Sequence, residues 1–299
     1  MVPASGACFE GLLFLSFRPG FRCLAPMNMD FCFRRNDGSS MKILVCIKQI
    51  LAPESELAPR ADGTGPAPVG PAERRISRYD ACALEAALQL RESVGGRIRV
   101  ATVGPPWAAE ALRRALGMGA DDALHIIAAD DVDDPFIVAG ALAPAARDCD
   151  LVLTGVMSED LMQGTVGPIL AALLDRPCAT TAMAFERAAG GSALTVEEEL
   201  EHGERSIVEL TLPAVVTIQS GPWTPRYPSV SGLLKARRQA IQTLKLAAMP
   251  IDFPRQRIVA MTTPPPTRQG RMLPGTAADK AAQLVHLFRQ RGFLPPCAP

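Results

Sequence analysis

Short apolar runs and amphipathic segments alternate along the chain from residue 41 onward. The runs contain β-branched residues, as buried strands do, and the segments between them carry apolar residues at helical spacing. The predicted strands are 42–48, 97–104, 123–129 and 150–155, and the predicted helices are 79–92, 105–119 and 134–149. This alternation predicts an α/β fold with a mostly parallel sheet and helices on both faces.

The pattern changes after residue 178. The segments 179–188, 193–202 and 204–212 resemble antiparallel strands, with glycine-containing turns between them. A further buried strand is predicted over 212–219, and a basic helix follows Pro228. The fold class predicted is therefore a mostly parallel sheet with an antiparallel addition.

The two ends of the chain differ from its middle. Residues 1–40 hold six of the eleven phenylalanines and show no periodicity, so we expect an atypical extension, disordered or not translated, with Met41 as the true start. Residues 41–249 form the predicted nucleotide-binding domain. Residues 250–299 are proline-rich up to an amphipathic helix over 279–293, which predicts a C-terminal arm that packs on another surface.

Composition excludes several classes of function. The 31 basic and 31 acidic residues balance, which argues against a broad nucleic-acid or anionic-membrane surface. No run approaches the roughly 20 apolar residues of a membrane span, so no direct membrane insertion is expected. Eight scattered cysteines without a C-x-x-C pair and three dispersed histidines predict reduced thiols, no metal site and a cytoplasmic protein.

A glycine-containing loop within residues 154–174 is the best candidate for a ligand site. It follows a buried strand and leads into an apolar helix, whose free amides would favour a phosphate. Gly164 and Gly167 would let the backbone approach the ligand. The alternative is an ordinary loop in which Ser158 or Asp160 satisfies backbone amides. No dinucleotide, P-loop, nucleophile-elbow or zinc-protease motif occurs, so no catalytic residue is predicted.

A second candidate is the turn Pro225-Arg226-Tyr227-Pro228 at the start of the basic helix. Two prolines stiffen an arginine–tyrosine pair, and these residue types are enriched at binding hot spots. A solvated basic helix face is the alternative interpretation.

Four segments together resemble the electron transfer flavoprotein β-subunit family: "KILVCIKQI" at 42, "ALGMGADDALHI" at 115, "LPAVVTIQ" at 212, and "TPRYPSVSGLLKARRQAI" at 224. The resemblance implies an electron carrier, not an enzyme, that pairs with an α subunit and shares its FAD. It implies a bound AMP, or a second FAD as in electron-bifurcating members. It also implies docking of flavin-containing dehydrogenases, for example in fatty acid oxidation, and electron transfer to a quinone oxidoreductase or another acceptor.

The resemblance also assigns site residues. Together with the glycine loop, the cofactor-binding set is Cys46, Ser77, Tyr79, Asp80, Val103, Gly155, Ser158, Asp160, Gly164, Thr165, Val166 and Gly167. The docking set is Pro225, Arg226, Tyr227 and Val230. The family's usual Asn is replaced by Ser77, and its acidic pair survives only as Asp160, which leaves AMP and a second FAD both open. A stand-alone adenine-nucleotide-binding regulatory protein is the competing class.

Overall fold

The computed structural model describes residues 40–61, 63, 65–129, 132–188, 190–251, 254–256, 258–263, 270 and 272–295. The chain divides into two compact units. The first unit comprises Met1–Glu56 and Gly70–Arg257, and the second comprises Leu57–Val69 and Ile258–Pro299. The extension predicted for residues 1–40 lies outside the described residues, apart from Ser40.

The described residues contain thirteen strands and six α-helices. The strands are β1 (Lys42–Cys46), β2 (Gln49–Leu51), β3 (Leu57–Pro59), β4 (Pro66–Pro68), β5 (Arg74–Ile76), β6 (Arg97–Gly104), β7 (Asp122–Ile127), β8 (Leu151–Gly155), β9 (Cys178–Arg187), β10 (Ala193–Glu199), β11 (Arg205–Thr211), β12 (Ala214–Ile218) and β13 (Gln242–Lys245). The helices are α1 (Arg78–Val94), α2 (Ala109–Met118), α3 (Pro135–Ala146), α4 (Val166–Leu174), α5 (Val230–Arg238) and α6 (Ala277–Gln290).

Nine strands form one sheet in the order β11-β10-β9-β12-β8-β1-β6-β7-β13. The seven neighbouring strands β9-β12-β8-β1-β6-β7-β13 pair in parallel, with β1 in the middle of this group. The remaining pairs, β9 with β10 and β10 with β11, are antiparallel. The predicted fold class is confirmed, including its antiparallel addition.

The central strand β1 shows why helices cover both faces. Its consecutive residues Ile43 and Leu44 point to opposite faces of the sheet and are both fully buried, in different apolar clusters. Ile43 packs in the cluster that includes Leu84 of α1, whereas Leu44 packs in the one that includes Leu142 of α3. A strand with both faces buried must be apolar at nearly every position, and this is the pattern that the sequence shows.

Strand β13 and the start of helix α2 differ from the sequence-based prediction, as do the short strands β2 and β5, which were not predicted. Strand β13 was missed because it lies at the sheet edge and is only four residues long, with Leu244 its one partly buried residue. The helix predicted over 105–119 begins as a 3-10 turn, Pro106–Ala108, and becomes α-helical only at Ala109. Consecutive prolines supply no amides there.

The second unit contains the β3–β4 hairpin and helix α6, which covers most of the predicted helix 279–293. Residues 57–69, placed by the sequence analysis in the nucleotide-binding domain, belong to this unit. A reciprocal capping box between Thr276 and Asp279 starts α6. Leu284 and Phe288 remain exposed on the helix. The packing of this arm on an α subunit stays a prediction.

Candidate functional site

A cleft lies at the carboxyl ends of the central strands β1, β6 and β8, where open α/β sheets bind ligands. Counting its open mouth, it has a volume of about 750 Å³. Most of the predicted cofactor-binding residues line it, namely Cys46, Asp80, Val103, Gly155, Ser158, Gly164, Thr165, Val166 and Gly167. Helix α3 contributes the apolar side chains of Val138 and Leu142 to its wall.

Asp80, in the first turn of α1, joins two strand ends beneath the cleft. Its carboxylate accepts hydrogen bonds from the backbone amides of Lys48 at 2.8 Å and Gly155 at 2.9 Å. Burial raises the pKa of Asp80 to about 7, and the two amides and the Lys48 charge offset only part of that effect. The Asp80 carboxyl group therefore holds together loops that are far apart in sequence.

Gly155 leaves no room for a side chain at this junction. A Cβ added there would lie 2.5 Å from Asp80 Oδ1 and 2.7 Å from Tyr79 Cβ. Tyr79 itself is buried and does not line the cleft. Ser77 is not among the residues that line the cleft either. Its hydroxyl is fully buried and has no hydrogen-bond partner among the described residues.

Gly164 and Gly167 of this loop are required for different structural reasons. Gly164 has a φ of +64°, a conformation that disfavours other residues. A Cβ on Gly167 would lie 2.4 Å from Thr217 Cγ2 and 2.9 Å from Thr154 Oγ1. The hydrogen of Gly167 thus points toward the sheet, and the residue permits close packing of α4 on β8 and β12. The expectation that its missing side chain makes room for the ligand has the direction wrong.

Ion pairs hold the loop that carries these glycines. Lys48 Nζ lies 2.8 Å from Asp160 and 3.5 Å from Asp133 across the cleft mouth. Glu159 accepts a hydrogen bond from the backbone amide of Arg78 at 2.8 Å. Burial by itself raises the pKa of Asp160, but the Lys48 ammonium and the hydrogen bonds from Lys48, Ser158 and Leu161 together outweigh it, so the pKa is lowered.

Sequence reasoning missed Lys48, Asp133 and Glu159. Lys48 is the last residue of the predicted strand 42–48, at the sheet edge where ligands bind, so its position was a usable signal. The partners of Lys48 were not readable, because Asp133 and Asp160 come from separate strand-to-helix connections.

The start of helix α4 offers the cleft a place for an anionic group such as a phosphate. The first-turn amides of Val166 and Gly167 have no carbonyl within α4 to bond, and the helix dipole favours an anion there. Burial raises the pKa of the Cys46 thiol, which stays neutral and contributes apolar surface to the floor.

The second candidate site is the turn before α5. Tyr227 and Val230 are 88% and 76% exposed, so neither is a core residue. Pro225 is half-buried, and Arg226 binds Glu85 of α1 through its guanidinium group. Leu234, one turn after Val230 on α5, is also exposed and extends the apolar surface.

The described residues show neither a metal site nor a membrane span. They contain no group of three or more histidine, cysteine, aspartate or glutamate side chains that could hold a metal ion. No helix among them is long and apolar enough to cross a bilayer.

Comparisons with known proteins point to one family. Residues 71–249 match the model of the electron transfer flavoprotein domain. The chain is 38% identical over 226 residues to "Electron transfer flavoprotein subunit beta" of Bacillus subtilis, covering 73% of this chain and 87% of that protein. It is 30% identical over 264 residues to the protein of that name from Methylophilus methylotrophus, covering 84% and 98%. A human protein of that name is 28% identical over 257 residues, covering 84% and 99%.

Proposed function

The chain belongs to the electron transfer flavoprotein β-subunit family, and from this membership we propose that it works as the β subunit of a heterodimer with an α subunit. The heterodimer accepts electrons from flavin-containing dehydrogenases, such as those of fatty acid oxidation, in the cytoplasm. It passes them to a quinone oxidoreductase of the respiratory chain or to another acceptor. The chain is a carrier subunit that turns over no substrate of its own.

Two cofactors belong to this proposal. The first is an FAD shared with the α subunit, which supplies the redox chemistry when bound. The second is an AMP in the cleft, with its phosphate at the amides of Val166 and Gly167. Asp80 and Lys48 keep the surrounding loops in place. A second FAD in the cleft is the alternative that a measurement must separate from AMP.

The observation that carries the docking part of the proposal is the exposure of Tyr227 and Val230 on a stiff turn. Apolar and aromatic side chains that stand out on a fixed backbone lose little entropy when a partner covers them. The neighbouring α5 adds Lys235, Arg237 and Arg238 in its last turn, which would attract an acidic partner surface.

The docking proposal is tested in the heterodimer with Val230→Asp. We expect the variant to keep its fold and its nucleotide, because a charge on an exposed position costs little. Dithionite should reduce its flavin at the normal rate, while reduction by the cognate dehydrogenase should slow about tenfold or more, corresponding to about 1.4 kcal/mol. Ile207→Asp, at a position of similar exposure (74%) on β11, is the matched control and should leave both reductions unchanged. Equal slowing of both reductions by Val230→Asp would contradict the proposal.

The cofactor proposal is tested by releasing the nucleotides from the purified heterodimer and identifying them by mass. One FAD and one AMP per heterodimer support the proposal, and two FAD support the alternative. A chain that purifies without an α subunit and without a yellow flavin spectrum would instead support the regulatory protein.

A further inference from the structure

Arg226 lies in the turn 225–228, here called the docking turn, but its guanidinium group already binds carboxylates within the chain. We infer that Arg226 is a positioning residue that holds the turn through Glu85, and that Tyr227 and Val230 make the contacts with the partner. This inference rests on the proposed docking function and assigns separate roles to neighbouring residues of one turn.

The contacts between Arg226 and α1 are extensive. Glu85 accepts three hydrogen bonds from Arg226: from the backbone amide at 3.1 Å, from Nε at 2.9 Å and from Nη2 at 2.8 Å. The remaining nitrogen, Nη1, donates to Glu92 at 2.6 Å, two turns further along α1. A guanidinium bound by two carboxylates has little freedom left to reach a partner protein.

Glu85 is a fixed point for this interaction. Its side chain is only 4% exposed, and Gln89 donates a further hydrogen bond to it at 3.0 Å. Burial by itself raises the pKa of Glu85, but the hydrogen bonds from Arg226 and Gln89 outweigh it, so the pKa is lowered and the carboxylate is charged. If Arg226 turned outward, it would leave that charge buried and unpaired, which is strongly unfavourable.

The far side of the turn is fixed as well. Helix α5 packs on α2 so closely that a Cβ on Gly232 would lie 2.6 Å from the Gly117 carbonyl oxygen. Arg113 of α2 donates to the carbonyl oxygens of Ala236 and Gln239 at the end of α5. Tyr227 and Val230 therefore stand between two anchored points with their side chains in solvent.

The two possible roles of Arg226 predict different effects on docking when Glu85 is neutralised. Glu85 is buried beneath the turn and cannot touch a docked protein. If Arg226 contacts the partner directly, neutralising Glu85 has little effect on docking. If Arg226 acts through Glu85, losing either residue releases the turn and weakens docking to a similar extent.

The experiment compares Glu85→Gln, Arg226→Lys and the double variant in the flavin-loaded heterodimer. The readouts are the KM and kcat for reduction by the cognate dehydrogenase. We expect each single variant to raise KM by about fivefold or more with kcat unchanged, because the turn loses its preorganisation. The double variant should be no worse than the more severe single one, since both remove the same interaction. Glu92→Gln, which removes only the exposed contact, is the matched control and should change KM by less than about twofold.

Two results would overturn the inference. The first is a raised KM in Arg226→Lys with a normal KM in Glu85→Gln, which would make Arg226 a direct contact. The second is strictly multiplicative effects in the double variant. Should Glu85→Gln fail to form the heterodimer, amide hydrogen exchange over 226–229 in Arg226→Lys decides, and unchanged protection there contradicts the inference. Val230→Asp tests docking itself. If the cognate dehydrogenase reduces this variant at the normal rate, the docking function proposed above is wrong, and the inference about Arg226 falls with it.

Discussion

The cleft and the docking turn are attached to the same helix, α1, in different ways. At its first turn, Asp80 binds two backbone amides in a space that excludes even a methyl group on Gly155. Further along, Glu85 and Glu92 bind one long side chain, that of Arg226, whose neighbour Tyr227 is exposed to solvent. The cleft is therefore shaped by backbone packing, which tolerates little change, whereas the turn is held by a few side-chain bonds and leaves its apolar residues free.

The largest expected effect tests the packing of the cleft. Gly167→Ala should lower the free energy of unfolding by about 3 kcal/mol, because the new methyl group overlaps Thr217 and Thr154. Urea unfolding of the heterodimer measures the change. The double variant with Thr217→Ser, which removes the overlapping methyl group, should recover part of the loss, and Thr217→Ser alone is the control. Absence of any recovery would mean that the close approach of α4 to β12 is not the reason for Gly167.

The second effect is a pH dependence at Asp80. Its pKa is raised in the folded protein to about 7 from 3.8, so the folded state holds this proton where the unfolded state has lost it. The contribution of Asp80 to stability is then complete below about pH 3.8 and is lost as the pH rises to about 7, at about 1.4 kcal/mol per unit of pKa shift.

Unfolding of the wild type and Asp80→Asn between pH 5 and 8 checks this expectation. The wild type should lose stability relative to the variant by about 1.4 kcal/mol or more as the pH rises, with no further relative change above pH 8. A constant difference between the two proteins across this range would show that Asp80 titrates normally.

A smaller effect is expected for the ion pair at the cleft mouth. Asp160→Asn removes the 2.8 Å contact with Lys48, and both side chains are partly exposed, so the loss should be about 1 kcal/mol or less. It should shrink further in 1 M salt. Asp133→Asn, with a contact of 3.5 Å, is the matched comparison and should cost less. A loss that grows with salt would exclude an electrostatic origin.

The smallest effect tests the other side of the comparison. Tyr227→Ser and Val230→Ser should each change the free energy of unfolding by less than about 0.5 kcal/mol, because both side chains are exposed. Leu44→Ala, in the core on β1, is the contrast and should cost about 2–5 kcal/mol. A loss near that of Leu44→Ala at either turn position would show that the turn is part of the core.

Most of the fold was predictable because its signals are local. The apolar, β-branched run of β1 reflects a strand that is buried on both faces. The apolar residues of α1 recur at helical spacing because one side of the helix faces the core. Strand β13 was not predictable in the same way. Its residues Gln242–Lys245 carry little apolar pattern, and only pairing with β7 makes them a strand.

The candidate site divides along the same line. The position of the glycine loop after β8 and the stiffness of the turn at Pro225 and Pro228 could be read from the chain. The reason for Gly167 could not, because Thr217 reaches it from a strand 50 positions away only once β12 lies beside β8.

The sequence by itself determined the alternation of strands and helices, the edge of the sheet that carries the glycine loop, and the motif that precedes α5. The tertiary structure decided which charged groups meet. Asp80 binds the amide of Gly155 across 75 residues, and Glu85 binds Arg226 across 141. Periodicity records only whether a position faces the core or the solvent, whereas an ion pair depends on which distant elements become neighbours when the sheet assembles.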